Sequence, residues 1–174
     1  MIYFTSDTHF FYMHSGRKKL FDDYDSMHRH LIYKWNEKVS EEDDIYIIGD
    51  FSNESGYLKT SKLLKFLNGN KYLIKGNNDR FADNVQFDKT LFKFIKDYYV
   101  LDIENYNNII KKAVLFHYPI LEWEGYYNNT ILIHGHWHKN KKYNKLAFNT
   151  ASDLHNFSPL SINEILEMVQ NEHL

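Results

Sequence analysis

The sequence contains no cysteine, which excludes thiolate metal sites, cysteine nucleophiles and disulfide staples. It has no apolar run near the roughly 20 residues that a membrane-spanning helix requires. Its first residues run straight into a strand-like stretch and then Asp7, without the pattern of a signal peptide. A cytoplasmic location with no membrane partner is the expectation. Positive charge is not in excess either. The formal net charge is −2, so a broad basic surface for long nucleic acid is not expected. No serine stands in a nucleophile-elbow context, and no linker, repeat or low-complexity segment divides the chain. At 174 residues one domain spanning 1–174 is expected, able to bury about 70% of its unfolded surface without staples.

What the sequence does have is five polar clusters: Asp7-Thr8-His9, Gly49-Asp50, Gly76-Asn77-Asn78-Asp79, His117 and Gly135-His136-Trp137-His138. Strand-like runs precede them: Met1 to Ser6, Ile45 to Ile48, Lys71 to Lys75, Val114 to Phe116 and Thr130 to Ile133. The carboxyl ends of strands are where α/β folds gather their chemistry. The clusters offer seven hard or borderline metal ligands. Seven donors mixing imidazole, carboxylate and amide are too many for one ion and fit two adjacent ions sharing a carboxylate. With nitrogen and oxygen donors and no thiolate, the divalent candidates are manganese first, then iron, nickel or zinc.

Five such elements in this order resemble the signature of the calcineurin-like metallophosphoesterases, D-x-H, G-D, G-N-H-D/E, H and G-H-x-H, over Asp7 to His138. The stretches Tyr3 to Phe10, Ile47 to Phe51 and His117-Tyr118-Pro119-Ile120 are similar to small bacterial and phage-borne members. The resemblance implies an α/β fold, a four-layer α/β/β/α sandwich of two mixed sheets flanked by helices. It implies one ion held by Asp7, His9 and His138 and another by Asn77, His117 and His136, with Asp50 bridging. It also implies a phosphoric ester hydrolase, a phosphodiesterase or phosphatase acting on small or nucleotide-like phosphate esters through a water shared by the two cations. The alternatives are a nuclease of the same fold and a non-catalytic binding module.

The chain departs from the signature at one position. Where the family has a histidine that contacts phosphate and protonates the leaving group, this sequence has Asn78. Asparagine donates a hydrogen bond but supplies no proton near neutral pH. Asn78, Asp79 and Arg80 complete the candidate catalytic set, Arg80 as a charge within reach of the phosphate.

Other histidines read differently. His28 and His30 fall in a helical stretch with Leu31, Trp35 and Val39 on one face and are expected to be solvated. His134 is expected at a packed strand end, and His173 in a terminal tail. His14 and Tyr12 lie where related sequences often carry a phosphate-side histidine, at irregular spacing. The lysines 139, 141, 142 and 145 read first as a solvated hairpin loop and second as a rim that attracts anions. Helices are expected over Met27 to Val39 and Leu58 to Leu67, and a final one from Ser161, capped through Glu164. Strands are expected at Tyr98 to Ile103, Ile109 to Phe116 and Leu146 to Asn149.

Overall fold

The parallel strands of two mixed sheets end at one rim. In the computed structural model, which describes residues 1–171, the first sheet has the order β4 (Phe94–Lys96), β3 (Asn70–Ile74), β2 (Asp44–Ile48), β1 (Ile2–Thr5), β9 (Leu160–Ser161). All its neighbours are parallel except β1 and β9. The second has the order β5 (Tyr98–Asp102), β6 (Lys112–Phe116), β7 (Ile131–His134), β8 (Ala147–Asn149), with only β5 and β6 antiparallel. The crossovers between β1, β2 and β3 carry α1 (Tyr24–Lys38) and α2 (Leu58–Leu64), and α3 (Ile162–Asn171) follows β9.

The apolar strands are buried on both faces, and the period of two sorts their side chains into separate layers. On β2, Ile45 and Ile47 face a core built with Met27, Leu31 and Trp35 of α1 and with Leu63 and Leu64 of α2. Tyr46 and Ile48 face the opposite way, onto Ala113 and Leu115 of β6 and Ile131 and Ile133 of β7. Each fully buried aliphatic side chain of this kind stabilises by roughly 1.5–3 kcal/mol. Val114 and Leu132 point outward from the second sheet and are covered by Trp123, Ile120 and Tyr126 of the connection between β6 and β7. Two mixed sheets with flanking helices therefore form the expected α/β sandwich. Its helical cover is uneven, because α3 lays Ile162, Ile165 and Val169 into the inter-sheet core.

Local signals set the ends of the helices. The Asp23 carboxylate accepts from Ser26 N at 2.7 Å and caps α1, which starts three residues before the expected Met27. Met27, Leu31 and Trp35, spaced i, i+4, i+8, form its buried stripe. The capping box at Ser161 and Glu164 is present in both directions, Ser161 N to Glu164 Oε2 at 2.7 Å and Glu164 N to Ser161 Oγ at 3.3 Å. Register aligns the rim: Thr5 pairs with Ile47 and Ile47 with Leu73, while Leu115 pairs with Ile133 and Ile133 with Phe148. The residues just beyond these pairs begin every candidate cluster. A parallel bridge from Ser6 to Ala151 joins the two sheets there. No helix among the described residues is long and apolar enough to cross a membrane.

Candidate metal centre

The rim gathers the seven proposed donors into two groups. Ligand atoms of Asp7, His9 and His138 lie within 4.8 Å of one another, as do those of Asp50, His117 and His136. Asn77 joins the second group, its Oδ1 3.2 Å from His117 Nε2. Asp50 stands between them: its Oδ2 is 3.6 Å from His9 Nε2 and 3.6 Å from His117 Nε2.

Donors at i and i+2, such as Asp7 and His9, would share one face of a regular strand at about 6.5 Å spacing along it, and here the chain leaves strand geometry at the donors. It does so through left-handed backbone at Asp7 (φ 54°), His9 (φ 46°), Asp50 (φ 53°) and His136 (φ 69°). Each such non-glycine residue costs about 1–2 kcal/mol, and strain of this kind clusters at functional sites. Glycine is required beside them for a second reason. A Cβ on Gly76 would overlap the Asp50 carboxylate, and one on Gly135 would overlap Asp7 Oδ2 and Ser6 Oγ.

Hydrogen bonds hold the strained turns. Asp7 Oδ2 accepts from Ser6 Oγ at 2.6 Å, both oxygens accept from the His136 main chain, Oδ2 at 2.9 Å and Oδ1 at 3.1 Å, and Oδ1 lies 3.9 Å from His9 Nε2 and 3.7 Å from His138 Nε2. Three rings use Nδ1 as a donor: His9 to Asn53 Oδ1 at 2.6 Å, His138 to Asp153 Oδ2 at 2.7 Å and His117 to the Ile48 carbonyl at 2.9 Å. A neutral imidazole with its proton on Nδ1 offers only a lone pair at Nε2.

With the rings neutral and protonated on Nδ1, two close contacts pair acceptor with acceptor. His9 Nε2 lies 3.2 Å from His138 Nε2, and His117 Nε2 lies 3.2 Å from Asn77 Oδ1. Such pairs repel unless a proton or a metal cation is shared between them. Two donors bound to one ion at about 2.0–2.2 Å would sit at such a separation. The donor set and its spacing fit divalent cations in both groups.

Burial sets the charge states of the metal-free cluster. It pushes the Asp7 carboxyl up to about 7, partly offset by the hydrogen bond from Ser6, and holds His9 down to about 4. It lowers His117 as well, whereas the hydrogen bond to Asp153 raises His138. A dication beside Asp7 would draw its pKa back down.

The three residues expected around the phosphate take different places. Asn78 donates to Asp50 twice, from its main chain to Oδ1 at 2.8 Å and from its amide to Oδ2 at 2.7 Å, so one of its two side-chain N–H groups is committed to the shared carboxylate. Asp79 is 1% exposed. Its oxygens accept from the main chains of Asp50 and Gly76, both at 2.9 Å, of Phe51 at 2.8 Å and of Ser52 at 3.2 Å. That is a positioning role, since Asp79 clamps the turns that carry Asp50 and Asn77. Arg80 opens a short 3-10 turn (Arg80–Asp83) and is exposed, with no hydrogen bond or ion pair from its guanidinium among the described residues.

Sequence reasoning missed Arg17, Asp153 and Asn53. Asp153 follows β8 as the other clusters follow their strands, so the same signal was present there. Arg17, fully buried, carried no signal, because Arg17-Lys18-Lys19 reads as a solvated basic run. His28 corrects an expectation: it is half-buried, and its Nε2 accepts from Phe11 N at 3.0 Å. Phe11 is left-handed (φ 66°), so its N–H leaves the strand ladder and needs an acceptor. His30 likewise packs between Phe21 and Phe157. His134 is the expected packed strand end, 1% exposed with Nδ1 donating to Gly135 O at 2.9 Å. Tyr12 is 47% exposed with its ring beside His9. Lys141, Lys142 and Lys145 border a pocket of about 450 Å³ that also reaches Met168 of α3. His173 lies outside the described residues.

A profile of the calcineurin-like phosphoesterases matches residues 1–167. The chain is similar to the uncharacterized protein MJ1445 of Methanocaldococcus jannaschii, with 27% identity over 97% of this chain and 91% of that protein. It is also similar to the Gene 66 protein of Mycobacterium phage D29, with 29% identity over 79% of this chain and 78% of that one. Among solved structures it resembles the protein of unknown function AQ665 from Aquifex aeolicus, with a TM-score of 0.72 and 25% identity over 97% of this chain and 98% of the other.

Proposed function

Because the chain belongs to the calcineurin-like phosphoesterase family, we propose that it hydrolyses phosphate esters, using two divalent cations held by Asp7, His9 and His138 and by Asn77, His117 and His136, with Asp50 shared. The observation that carries this reading is Asp50 Oδ2, equally distant at 3.6 Å from the Nε2 atoms of His9 and His117. The donors suit manganese first, then iron, nickel or zinc. When bound, such a pair lowers the pKa of water and draws charge from phosphoryl oxygens.

The chain's own residues supply orientation and charge. The second N–H of the Asn78 amide is left to donate to a phosphoryl oxygen, and Arg80, exposed two residues further on, adds a positive charge. Asp79 keeps Asp50 and Asn77 aimed without touching the substrate. No imidazole stands at position 78 to protonate a departing alcohol. The reading therefore favours activated leaving groups, as in aryl phosphate esters, over alkyl esters. A net charge of −2 supports small or nucleotide-like substrates over long nucleic acid.

The test is a panel of aryl and alkyl mono- and diesters, cyclic nucleotides and short oligonucleotides, assayed with added manganese, iron, nickel or zinc. Metal-dependent hydrolysis, fastest for the aryl esters, is expected. Protein carrying two metals per chain that cleaves none of them would be a binding module instead.

A further inference from the structure

The three rings that turn Nε2 toward the clusters anchor Nδ1 on partners of different chemistry. His117 uses a main-chain carbonyl and His9 a neutral amide oxygen, while His138 uses the carboxylate of Asp153 at 2.7 Å. A carboxylate partner fixes the tautomer of a ligand imidazole and raises its basicity more than a neutral acceptor does.

Asp153 is itself held in a fork. Arg17 Nε donates to its Oδ1 at 2.9 Å and Arg17 Nη2 to its Oδ2 at 2.9 Å. The same guanidinium donates to the Thr8 carbonyl, to the Asp7 carbonyl at 2.6 Å and to Ser152 Oγ at 3.0 Å. Those carbonyls belong to the turn that carries Asp7 and His9 in left-handed geometry. One buried cation thus ties together all three donors of a single half of the centre. Among the described residues, neither Arg17 nor Asp153 hydrogen-bonds to Asn77, His117 or His136.

We infer that Arg17 and Asp153 are positioning residues for one metal site only: Asp153 holds the proton of His138 on Nδ1, and Arg17 locks Asp153 to the Asp7–Thr8 turn. The pair sets the affinity of the Asp7, His9 and His138 site and leaves the other site unaffected. This rests on reading the two clusters as metal sites. An asparagine at 153 could present its NH2 to His138 Nδ1. The ring proton would then move to Nε2, the atom that has to carry a lone pair.

The test uses Asp153→Asn together with the double variant Arg17→Gln/Asp153→Asn, which leaves no buried charge unpaired if the single variant fails to fold. Manganese(II) is titrated into the metal-free full-length protein, and histidine tautomers are read in the metal-free state by long-range 15N–1H NMR. In wild type, His138 should carry its proton on Nδ1. In the variants the proton should move to Nε2, and one manganese affinity should fall about 10- to 100-fold while the other stays. Unchanged affinities, equal weakening of both sites, an unchanged His138 tautomer, or unfolding of both variants would overturn the inference. If wild type binds no manganese, the metal-site reading fails, and the tautomer measurement still decides the part played by Asp153.

Discussion

Replacing Asp79 should damage the protein in proportion to the main-chain donors it strands. Its two oxygens accept from four main-chain N–H groups, the buried ones of Asp50, Phe51 and Ser52 and the half-buried one of Gly76. A buried donor left without a partner costs about 1–3 kcal/mol. Asp79→Asn keeps one oxygen and turns an NH2 toward the other pair, stranding two donors and costing about 2–6 kcal/mol. Asp79→Ala strands all four, the three buried ones alone costing about 3–9 kcal/mol. That is comparable with the whole stability of a domain, about 5–15 kcal/mol. Water entering the gap would bring both values toward their lower ends. Urea unfolding of the metal-free variants, monitored by circular dichroism, measures the effect. The order wild type, Asn, Ala is expected, with Asp79→Asn still folded but holding Asp50 and Asn77 loosely and binding metal more weakly. An alanine variant within about 1 kcal/mol of wild type would refute the reasoning, because four unsatisfied amides cannot be that cheap.

Metal affinity should rise with pH up to about 7, the value to which burial pushes Asp7, because a cation has to displace the proton held below it. Manganese titrations at pH 5, 6 and 7 check this, and equal affinities would contradict it. In the metal-free protein, the raised Asp7 pKa contributes stability that is full below its ordinary 3.8 and lost as pH climbs to about 7. His9, lowered from 6.5 to about 4, contributes stability that is full above 6.5 and lost toward 4. The two oppose each other between those limits, so together they leave the stability nearly unchanged there. Finally, turnover across esters of graded leaving-group pKa should be steep in wild type and flatter in Asn78→His, since general acid catalysis is typically worth 10²- to 10⁴-fold. A flat wild-type dependence would mean that another group donates the proton.

The sequence made β2 and β7 plain because each is a continuous apolar run ending in glycine or a polar donor, the pattern of a strand buried on both faces. It hid β9, which at two residues is too short for a period of two to register, and β4 was not read from the sequence either. The capping box at Ser161 was legible because it is a purely local device. The donors that end strands were legible for the same reason. Their supports were not: Asp79 reads as one more polar member of a turn until its burial is known. Arg17 and Asp153 are separated by 136 residues, and no local pattern announces a contact of that range. Left-handed backbone at Asp7, His9, Asp50 and His136 was equally invisible, since none of these residue types demands it. His136 and His138, at i and i+2, would share one face of a strand, so their spacing gave no sign of the left-handed turn that the φ of 69° at His136 makes.

The most direct test of the dinuclear account is a stoichiometric titration of the metal-free protein with manganese(II) while turnover of bis(p-nitrophenyl) phosphate is followed. Two shared clusters predict little turnover at one equivalent and a rise that saturates at two equivalents per chain. Full turnover at one equivalent, or undiminished turnover in the metal-free protein, would contradict it.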